Sequence, residues 1–275
     1  MAKYARVFGP ATDALRIINV IAQLQLDGKT CRVDLCAAIC LAIPLRTDGE
    51  HPRFFVDEPA RFSALQSGGF CGRVATGGSC NVERVDFVPH CHGTHTEGVG
   101  HILDDARPVQ SGLDRGLLPA AVVSVTAVEQ STETAAGIGP VITAESLALP
   151  AGIRALVIRT LPNDESKCSR DYAQQPPYPL LSTEAMAKIV DAGIEHLLID
   201  TPSVDAADDG GLLRQHRRFW GFRGEKPDPA RANCTITEMI YVPDHCCDGL
   251  YLLALGVSAI EGDASPSAPL LFPIT

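Results

Sequence analysis

The sequence has no apolar run long enough to cross a membrane as a helix. Its longest run, LCAAICLAIPL, covers residues 35–45, whereas a helix needs about 20 apolar residues to span a bilayer. The N-terminal stretch MAKYARVFGPATD also lacks the apolar segment that a secretory signal requires. We therefore expect a cytoplasmic protein without a membrane partner.

Positive charge is scarce as well. The chain has 23 Lys and Arg residues against 33 Asp and Glu residues, and its formal net charge is -10. Binding to nucleic acid phosphates requires clustered Lys and Arg. We therefore expect no nucleic-acid partner, while the charge balance is compatible with a small-molecule substrate.

The ten cysteines include no pair spaced as C-x-x-C. A chain of 275 residues can bury a large core and does not need disulfides to fold. We expect most of the thiols to be reduced and buried, as small hydrophobic side chains. His245, Cys246 and Cys247 are consecutive, and we interpret them as a turn with two incidental thiols. A metal or redox role is the alternative.

Periodic patterns predict a chain in which strands outnumber helices. Short apolar or alternating runs predict strands in TCRVDLCAAICLAIPLR, AAVVSVTAV, IRALVIRTLP, IEHLLIDTPSVD, CTITEMIYVP and GLYLLALGV. Helices are predicted in STEAMAKIVDAG, capped by Ser182, in GGLLRQHRRFWG, and at the start of GPVITAESLAL. Residues 155–203 form a strand–helix–strand unit, and no repeat or low-complexity linker interrupts the chain. These patterns indicate one mixed α/β domain dominated by strands.

A further helix is predicted near the N-terminus, in TDALRIINVIAQLQLDGK. Its apolar residues recur at three-residue steps, Thr12 is placed to cap its start, and Gly28 is placed to end it. We expect residues 1–30 to form a helical extension that precedes the remaining domain.

The segment FVPHCHGTHTEGVGH, residues 87–101, contains four of the eight histidines of the chain. His95 and His101 flank Glu97, and imidazole together with carboxylate suits Zn, Mn or Fe. Gly98 and Gly100 allow the chain to bend so that these side chains converge on one ion. Further potential ligands precede them: His90, Cys91 and His92. A histidine-rich surface turn is the alternative, but the clustering favours a metal site.

The stretch HGTHTEGVGH resembles the signature H-x-G-T-H-x-D-x-P-x-H of the cyclase family. This family comprises kynurenine formamidases (arylformamidases), isatin hydrolases and many uncharacterised proteins. Other segments match in the same order along the chain: IPLRTDGEHP, IDTPSVD, LLRQHRRF and TEMIYVPDHCCDGLYLLALGVSAIEGDASPSAPLL. The resemblance covers about residues 31–272, and we assign residues 31–275 to the catalytic domain.

The resemblance implies a swivelling β/β/α fold, assembly as a homodimer or homotetramer, and one or two divalent metals per chain, Zn or Mn. It also implies hydrolysis of a C–N bond in a small amide or lactam. By motif position, His95, Glu97 and His101 correspond to the second His, the Asp and the last His. His216 and Glu238 correspond to the later ligand His and ligand Glu.

Three positions depart from the signature. Cys91 occupies the place of the first His, Glu97 that of the Asp, and Val99 that of the Pro. Because Cys91 replaces the first His, one ligand has three alternatives, which are His90, Cys91 and His92. The longer Glu97 changes the reach of a bridging carboxylate.

The sequence lacks the G-x-S-x-G nucleophile elbow of serine hydrolases. Hydrolysis by a metal-bound hydroxide is therefore the mechanism we expect. The leaving amine needs a proton from a general acid, for which His101 is our candidate and His216 the second choice. Glu238 either binds the metal or orients a ligand histidine. A non-catalytic metal- or ligand-binding protein on the same fold is the alternative function.

Several other residues have less specific assignments. Asp200 and Ser203, in DTPS, are expected near the site, either with a role there or as part of a turn. Four aromatic residues have two equal alternatives. They form a wall for a planar substrate, or they belong to the ordinary core packing: Phe54, Phe55, Phe70 and Trp220.

Overall fold

The computed structural model describes residues 20–26, 28–113, 116–132, 137–174 and 177–275. Two helices lie in these ranges, α1 (Thr183–Asp191) and α2 (Arg214–Phe219). Neither is long and apolar enough to cross a membrane. The strands in these ranges are β1 (Ile21–Leu26), β2 (Lys29–Asp34), β3 (Ile39–Cys40), β4 (Arg61–Ala64), β5 (Gln66–Ser67), β6 (Phe70–Cys71), β7 (Glu83–Asp86), β8 (His95–Glu97), β9 (Leu117–Thr126), β10 (Val128–Ser131), β11 (Ile138–Ile142), β12 (Ala155–Leu161), β13 (Leu180–Leu181), β14 (His196–Ile199), β15 (Thr235–Glu238), β16 (Gly249–Val257) and β17 (Ala264–Pro273).

Seven strands close into a barrel. Strands β9, β12, β14 and β15 run parallel to one another. The short strand β8 is antiparallel to β15 on one side and to β17 on the other. Strand β16 is antiparallel to both β17 and β9, which completes the ring. Closure pairs the edges that an open sheet would expose, and the strand-dominated α/β prediction is confirmed.

The barrel strands carry apolar side chains on both faces, because each face packs against a core. One core contains Val157 and Leu198 together with residues of β9, β16 and β17, and fills the barrel. The other contains Leu156 and Leu197 and packs against Met186 of α1. Burial on both faces explains why these strands read as continuous apolar runs in the sequence.

The predicted strand–helix–strand unit is confirmed. Strands β12 and β14 are parallel neighbours, and α1 lies between them in the chain. The Ser182 hydroxyl accepts a hydrogen bond from the Ala185 amide at 3.0 Å, which caps the first turn of α1. After α1, Gly193 has a φ of 75°, a left-handed conformation that glycine adopts without strain.

The N-terminal helix prediction is wrong for residues 21–26, which form strand β1 paired antiparallel with β2. Of the rest of that predicted helix, Val20 is not helical, Gly28 lies in a turn and Lys29 begins β2, while residues 12–19 and 27, like residues 1–11, lie outside the described residues. Side chains of β1 alternate between exposed and half-buried, and Leu24 packs against Val33 and Phe272. Pairing with β2 therefore overrides the helical spacing. The domain boundary at residue 30 remains a prediction.

Two other predictions need correction. The segment GPVITAESLAL forms strand β11 and a single 3-10 turn, not the start of an α-helix. All ten cysteines are free thiols, as expected, but only four of them are buried. The buried thiols are Cys91, Cys168, Cys234 and Cys246.

Candidate metal centre

The register of β8 with its two neighbours builds the centre of the site. Glu238, the last residue of β15, lies opposite His95, and Ala264, the first residue of β17, lies opposite Glu97. Asp263 immediately precedes Ala264 and is therefore also held beside Glu97. Three distant parts of the sequence thus meet on a strand of three residues.

Glycines allow the loop around β8 to approach its neighbours closely. A Cβ on Gly100 would lie 2.1 Å from the Arg107 carbonyl oxygen and 2.6 Å from the Arg107 amide nitrogen. Gly93 has a φ of 123°, which side-chain-bearing residues rarely adopt. The prediction that glycines shape this loop is consistent with these contacts.

Histidine and carboxylate side chains converge around Glu97. His216 Nε2 lies 2.8 Å from Glu97 Oε1, and His90 Nδ1 lies 3.1 Å from Glu97 Oε2. His101 Nε2 lies 3.8 Å from Glu97 Oε2, and His95 Nε2 lies 3.5 Å from Glu238 Oε2. Among the described residues, three overlapping sets could each hold a divalent ion: His90 with His95 and Glu97, Glu97 with His101 and His216, and His90 with His101 and Asp263.

The inner atoms of this cluster are buried, and among the described residues they make no hydrogen bond of acceptable angle, although His216 Nε2 lies 2.8 Å from Glu97 Oε1. They are His95 Nε2, His216 Nε2 and both carboxylate oxygens of Glu97. The other nitrogen of each ring is bound, since His95 Nδ1 contacts the Gly93 carbonyl oxygen at 3.0 Å and His216 Nδ1 contacts Asp205 Oδ2 at 2.7 Å. Such outer partners turn the Nε2 lone pairs inward. Buried polar atoms normally have partners, so these residues fit a divalent metal.

The charges of the cluster also fit a divalent metal. Burial opposes ionisation of Glu97, but His101 and His216 outweigh it and hold the pKa of Glu97 well below its usual range. Burial also disfavours a charged His90, yet Asp263 and Glu97 raise its pKa to about 10. Without a cation, protons on the histidines balance the buried carboxylates, and a metal ion would take their place.

The structure separates the three alternatives for the first ligand. His90 enters the cluster, whereas His92 points away from it. His92 Nδ1 accepts a hydrogen bond from the Val88 amide at 2.8 Å, and its Nε2 lies 2.8 Å from the Glu58 carbonyl oxygen. Cys91 is buried in the wall of the adjoining cavity and belongs to none of the ligand sets found among the described residues.

Two carboxylates that touch these histidines were not singled out from the sequence. Asp205 Oδ2 contacts His216 Nδ1, and its carboxylate also accepts the backbone amides of Gln215 and His216 at the start of α2. Asp263 Oδ2 lies 2.9 Å from His90 Nε2 and 3.3 Å from His101 Nδ1. Both aspartates lie in segments that resemble the cyclase family, in IDTPSVD and DASP, but no spacing rule distinguishes them from other acidic residues.

A cavity of about 600 Å³ opens onto the cluster. Phe54, Phe55, Val88 and Leu213 give it apolar walls, and Ser203 also lines it. The aromatic-wall prediction therefore fits Phe54 and Phe55.

The remaining residues of less specific assignment do not line the cavity. Trp220 is buried in the core, where its ring centroid lies 5.8 Å from that of His216, and Phe70 lies in β6. Asp200 accepts hydrogen bonds from Lys167 and Thr160 behind the site, which is a structural role. His245 lies in an exposed turn between β15 and β16, and no ligand set found in the described ranges includes it.

The fold and this centre define a protein class. A family model described as "Putative cyclase" matches residues 33–206, which is more than half of the chain. The chain belongs to this family. Among its sequence relatives is the kynurenine formamidase of Bacillus mycoides (strain KBAB4), which is 28% identical over 200 residues that cover 72% of this chain and 82% of the relative. The kynurenine formamidase of Bacillus cereus is 28% identical over 202 residues, with the same coverage.

Solved structures agree on the fold. A potential metal-dependent hydrolase with cyclase activity superposes with a TM-score of 0.59 at 17% identity, covering 86% of this chain and 96% of the other. Isatin hydrolase A from Ralstonia solanacearum superposes with a TM-score of 0.59 at 16% identity, covering 86% and 91%. An isatin hydrolase bound to the product analogue thioisatinate gives 0.56 at 17%, covering 87% and 93%. The cyclase-fold prediction is confirmed.

Proposed function

We propose that this chain is a metal-dependent hydrolase that cleaves a C–N bond in a small amide or lactam. The observation that carries the proposal is the set of buried nitrogen and oxygen atoms of His95, His216 and Glu97, which converge beside an open cavity without a well-formed hydrogen bond among the described residues. The kynurenine formamidase relatives support the choice of an amide as the substrate class.

The residues that would hold the metal, Zn or Mn at one or two ions per chain, are His90, His95, Glu97, His216 and Glu238, and His101 lies beside them. Glu97 is central, because its two oxygens face His216 on one side and His90 and His101 on the other. A bound divalent metal supplies a water of lowered pKa and polarises a carbonyl group. The Val204 amide donates to Glu238 Oε1, which leaves Oε2 facing His95.

We assign the general acid to His101. Its side chain is 25% exposed at the cavity, whereas that of His216 is 2% exposed and wedged between Asp205 and Glu97. A leaving amine must receive a proton from a group within hydrogen-bond reach. His101 borders the space that a substrate would occupy, so its inner nitrogen Nε2 can take a proton from the attacking water and deliver it to the amine, while His216 is placed as a ligand.

The cavity walls orient the substrate in this proposal. Phe54 and Phe55 offer flat apolar surfaces, and the Phe54 ring is itself held edge-on by Tyr178 at a centroid distance of 5.8 Å. Planar substrates gain from contact with aromatic faces. N-formylkynurenine, isatin and simple anilides are therefore the first compounds to assay.

The central test combines metal analysis with hydrolysis assays. For the purified, untagged wild-type chain we expect one or two Zn or Mn ions and hydrolysis of at least one amide or lactam of that panel. The double variant His95→Ala/His101→Ala should lose most of the metal and lower kcat/KM at least about 100-fold, because it removes a ligand and the general acid. The exposed His245→Ala serves as the matched control and should leave both unchanged.

Unchanged metal content and turnover in the double variant would refute the proposal. Metal binding without hydrolysis across the whole panel would instead support the non-catalytic binding protein, which the departures from the signature at Cys91, Glu97 and Val99 motivate.

We also propose a homodimer or homotetramer located in the cytoplasm. The resemblance to the cyclase family supports the assembly. Light scattering coupled to size-exclusion chromatography measures the assembly directly, and a monomer over the working concentration range would contradict it.

A further inference from the structure

Asp263 is fixed beside the metal centre by the backbone of two strands. Its carbonyl oxygen accepts a hydrogen bond from the Gly98 amide at 2.9 Å, and the next residue, Ala264, pairs with Glu97. The carboxylate of Asp263 is therefore held at a defined place on the rim of the site.

One oxygen of this carboxylate contacts two histidines. Asp263 Oδ2 lies 2.9 Å from His90 Nε2 and 3.3 Å from His101 Nδ1, and the two rings are 4.2 Å apart at an interplanar angle of 31°. The opposite nitrogens of the same rings face inward, with His90 Nδ1 at 3.1 Å and His101 Nε2 at 3.8 Å from Glu97 Oε2.

A neutral imidazole has one N–H and one lone pair, and an ionised carboxylate can only accept hydrogen bonds. The N–H of each ring is therefore favoured on the side of Asp263, which places both lone pairs on the inner side. His95 and His216 are oriented in the same way by the Gly93 carbonyl oxygen and by Asp205. These two rings are almost fully buried, whereas the side chains of His90 and His101 are each 25% exposed and less confined by packing.

We propose that Asp263 is a positioning residue that holds His90 and His101 together in the tautomers whose inner nitrogens serve the metal centre. It compensates for the departure at Cys91, because His90 comes from one residue earlier in the chain and needs its own orienting partner. The inference rests on the proposed metal centre and does not depend on the identity of the substrate.

The first test is zinc affinity, measured on the full chain by competition with a chelator. Asp263→Ala should bind zinc about 10–100-fold more weakly, as expected when an outer partner of a ligand histidine is lost, with an unchanged number of ions at saturation. Asp263→Glu, which keeps the carboxylate, should recover part of the affinity. The matched control is Asp105→Ala, an exposed aspartate that should retain wild-type affinity. Circular dichroism would verify that each variant is folded.

The second test is NMR of the zinc-loaded chain with nitrogen-15-labelled histidine. We expect slowly exchanging N–H signals from His90 Nε2 and His101 Nδ1, assigned with His90→Asn and His101→Asn, and their loss in Asp263→Ala. Wild-type zinc affinity in Asp263→Ala would overturn the inference. So would wild-type spectra in which these two nitrogens carry no proton. Loss of a whole ion on substitution would also overturn it, because that result would make Asp263 a direct ligand.

Neither measurement uses turnover. Absence of hydrolysis in the wild-type chain would therefore contradict the proposed function alone, and an unaffected zinc site in Asp263→Ala would contradict this inference alone.

Discussion

His90 and Cys91 are neighbours in the chain but have different surroundings. His90 contacts Glu97 and Asp263, while Cys91 is buried and burial raises the pKa of its thiol. A thiol binds a metal as its thiolate, so this environment disfavours Cys91 as a ligand. We expect His90→Ala to weaken zinc binding at least about 10-fold and Cys91→Ser to change it less than about 2-fold. Chelator competition measures both, and the reverse order would assign the ligand to Cys91.

Protonation of the histidines predicts the pH dependence of metal binding. In the metal-free chain the pKa of His90 is raised to about 10, by Asp263 and Glu97 against the effect of burial, and that of His216 is raised by Glu97 and Asp205. Metals bind the neutral ring, so each protonated histidine must release a proton on binding. Apparent zinc affinity should rise about tenfold per pH unit for each proton released. Competition assays at pH 7 and pH 8 measure how the zinc affinity changes with pH. An affinity that is the same at both pH values would contradict protonated histidines in the metal-free chain.

The raised pKa of His90 also makes the stability of the metal-free fold depend on pH. A raised histidine pKa means that the contacts of charged His90 with its carboxylates stabilise the folded state fully at pH values below its ordinary pKa of 6.5. This stabilisation is lost as the pH rises towards 10. Chemical denaturation of the metal-free chain should therefore show a His90-dependent fall in unfolding free energy between pH 7 and pH 10. A matching series with His90→Asn should lack that component.

At the level of single residues, the sequence was sufficient to name Glu97 and four of the residues that meet around it. The signature supplied His95, Glu97 and His101, and the downstream matches supplied His216 and Glu238. The choice of His90 over Cys91 and His92 was not predictable, because it depends on the backbone direction within the 3-10 turn Pro89–Cys91. Asp263 was missed because its partners lie more than 160 residues away.

Strand β8 has three residues, and the chain after it must turn immediately. Gly100 enables this turn, since its α-carbon lies against the Arg107 backbone. Gly100→Ala would place a methyl group 2.1 Å from the Arg107 carbonyl oxygen. We expect a loss of about 2–4 kcal/mol in unfolding free energy, together with weaker zinc binding, because the adjacent His101 would shift. Urea denaturation measures the loss, and Gly116→Ala, where a Cβ meets nothing within 4 Å, is the control.

Elements whose own sequence contains capping residues and a clear periodic pattern were predicted well. Elements that are determined by pairing with a distant strand were not. Helix α1 has a capping serine and an apolar face, so its sequence defines it. Residues 21–26 satisfy both a helical and an alternating pattern, and only the pairing with β2 decides between them. Strand β17 was missed because Pro266, Pro269 and Pro273 interrupt it, and proline cannot donate the hydrogen bonds of a strand interior.

Over the whole molecule, the metal would connect parts of the chain that are far apart. Its proposed ligands come from residues 90–101, from α2 and from β15, so binding should favour the folded state strongly. At a free zinc concentration of 100 Kd the stabilisation is about 2.7 kcal/mol, which corresponds to a rise in Tm of about 5–10 °C. Differential scanning fluorimetry with zinc and with excess chelator measures it. An identical Tm in both conditions would exclude preferential binding to the folded state.

The position of β8 between β15 and β17 has a consequence for biosynthesis. The histidine-rich loop leaves the ribosome early, but its partners Thr237 and Ser265 follow 141 and 169 residues later, as the register of Thr96 with each shows. Chains fold as they emerge, and such long-range pairs form last. A nascent chain that carries this loop therefore has no finished site, and metal loading must await the emergence of β15 and β17 from the ribosome.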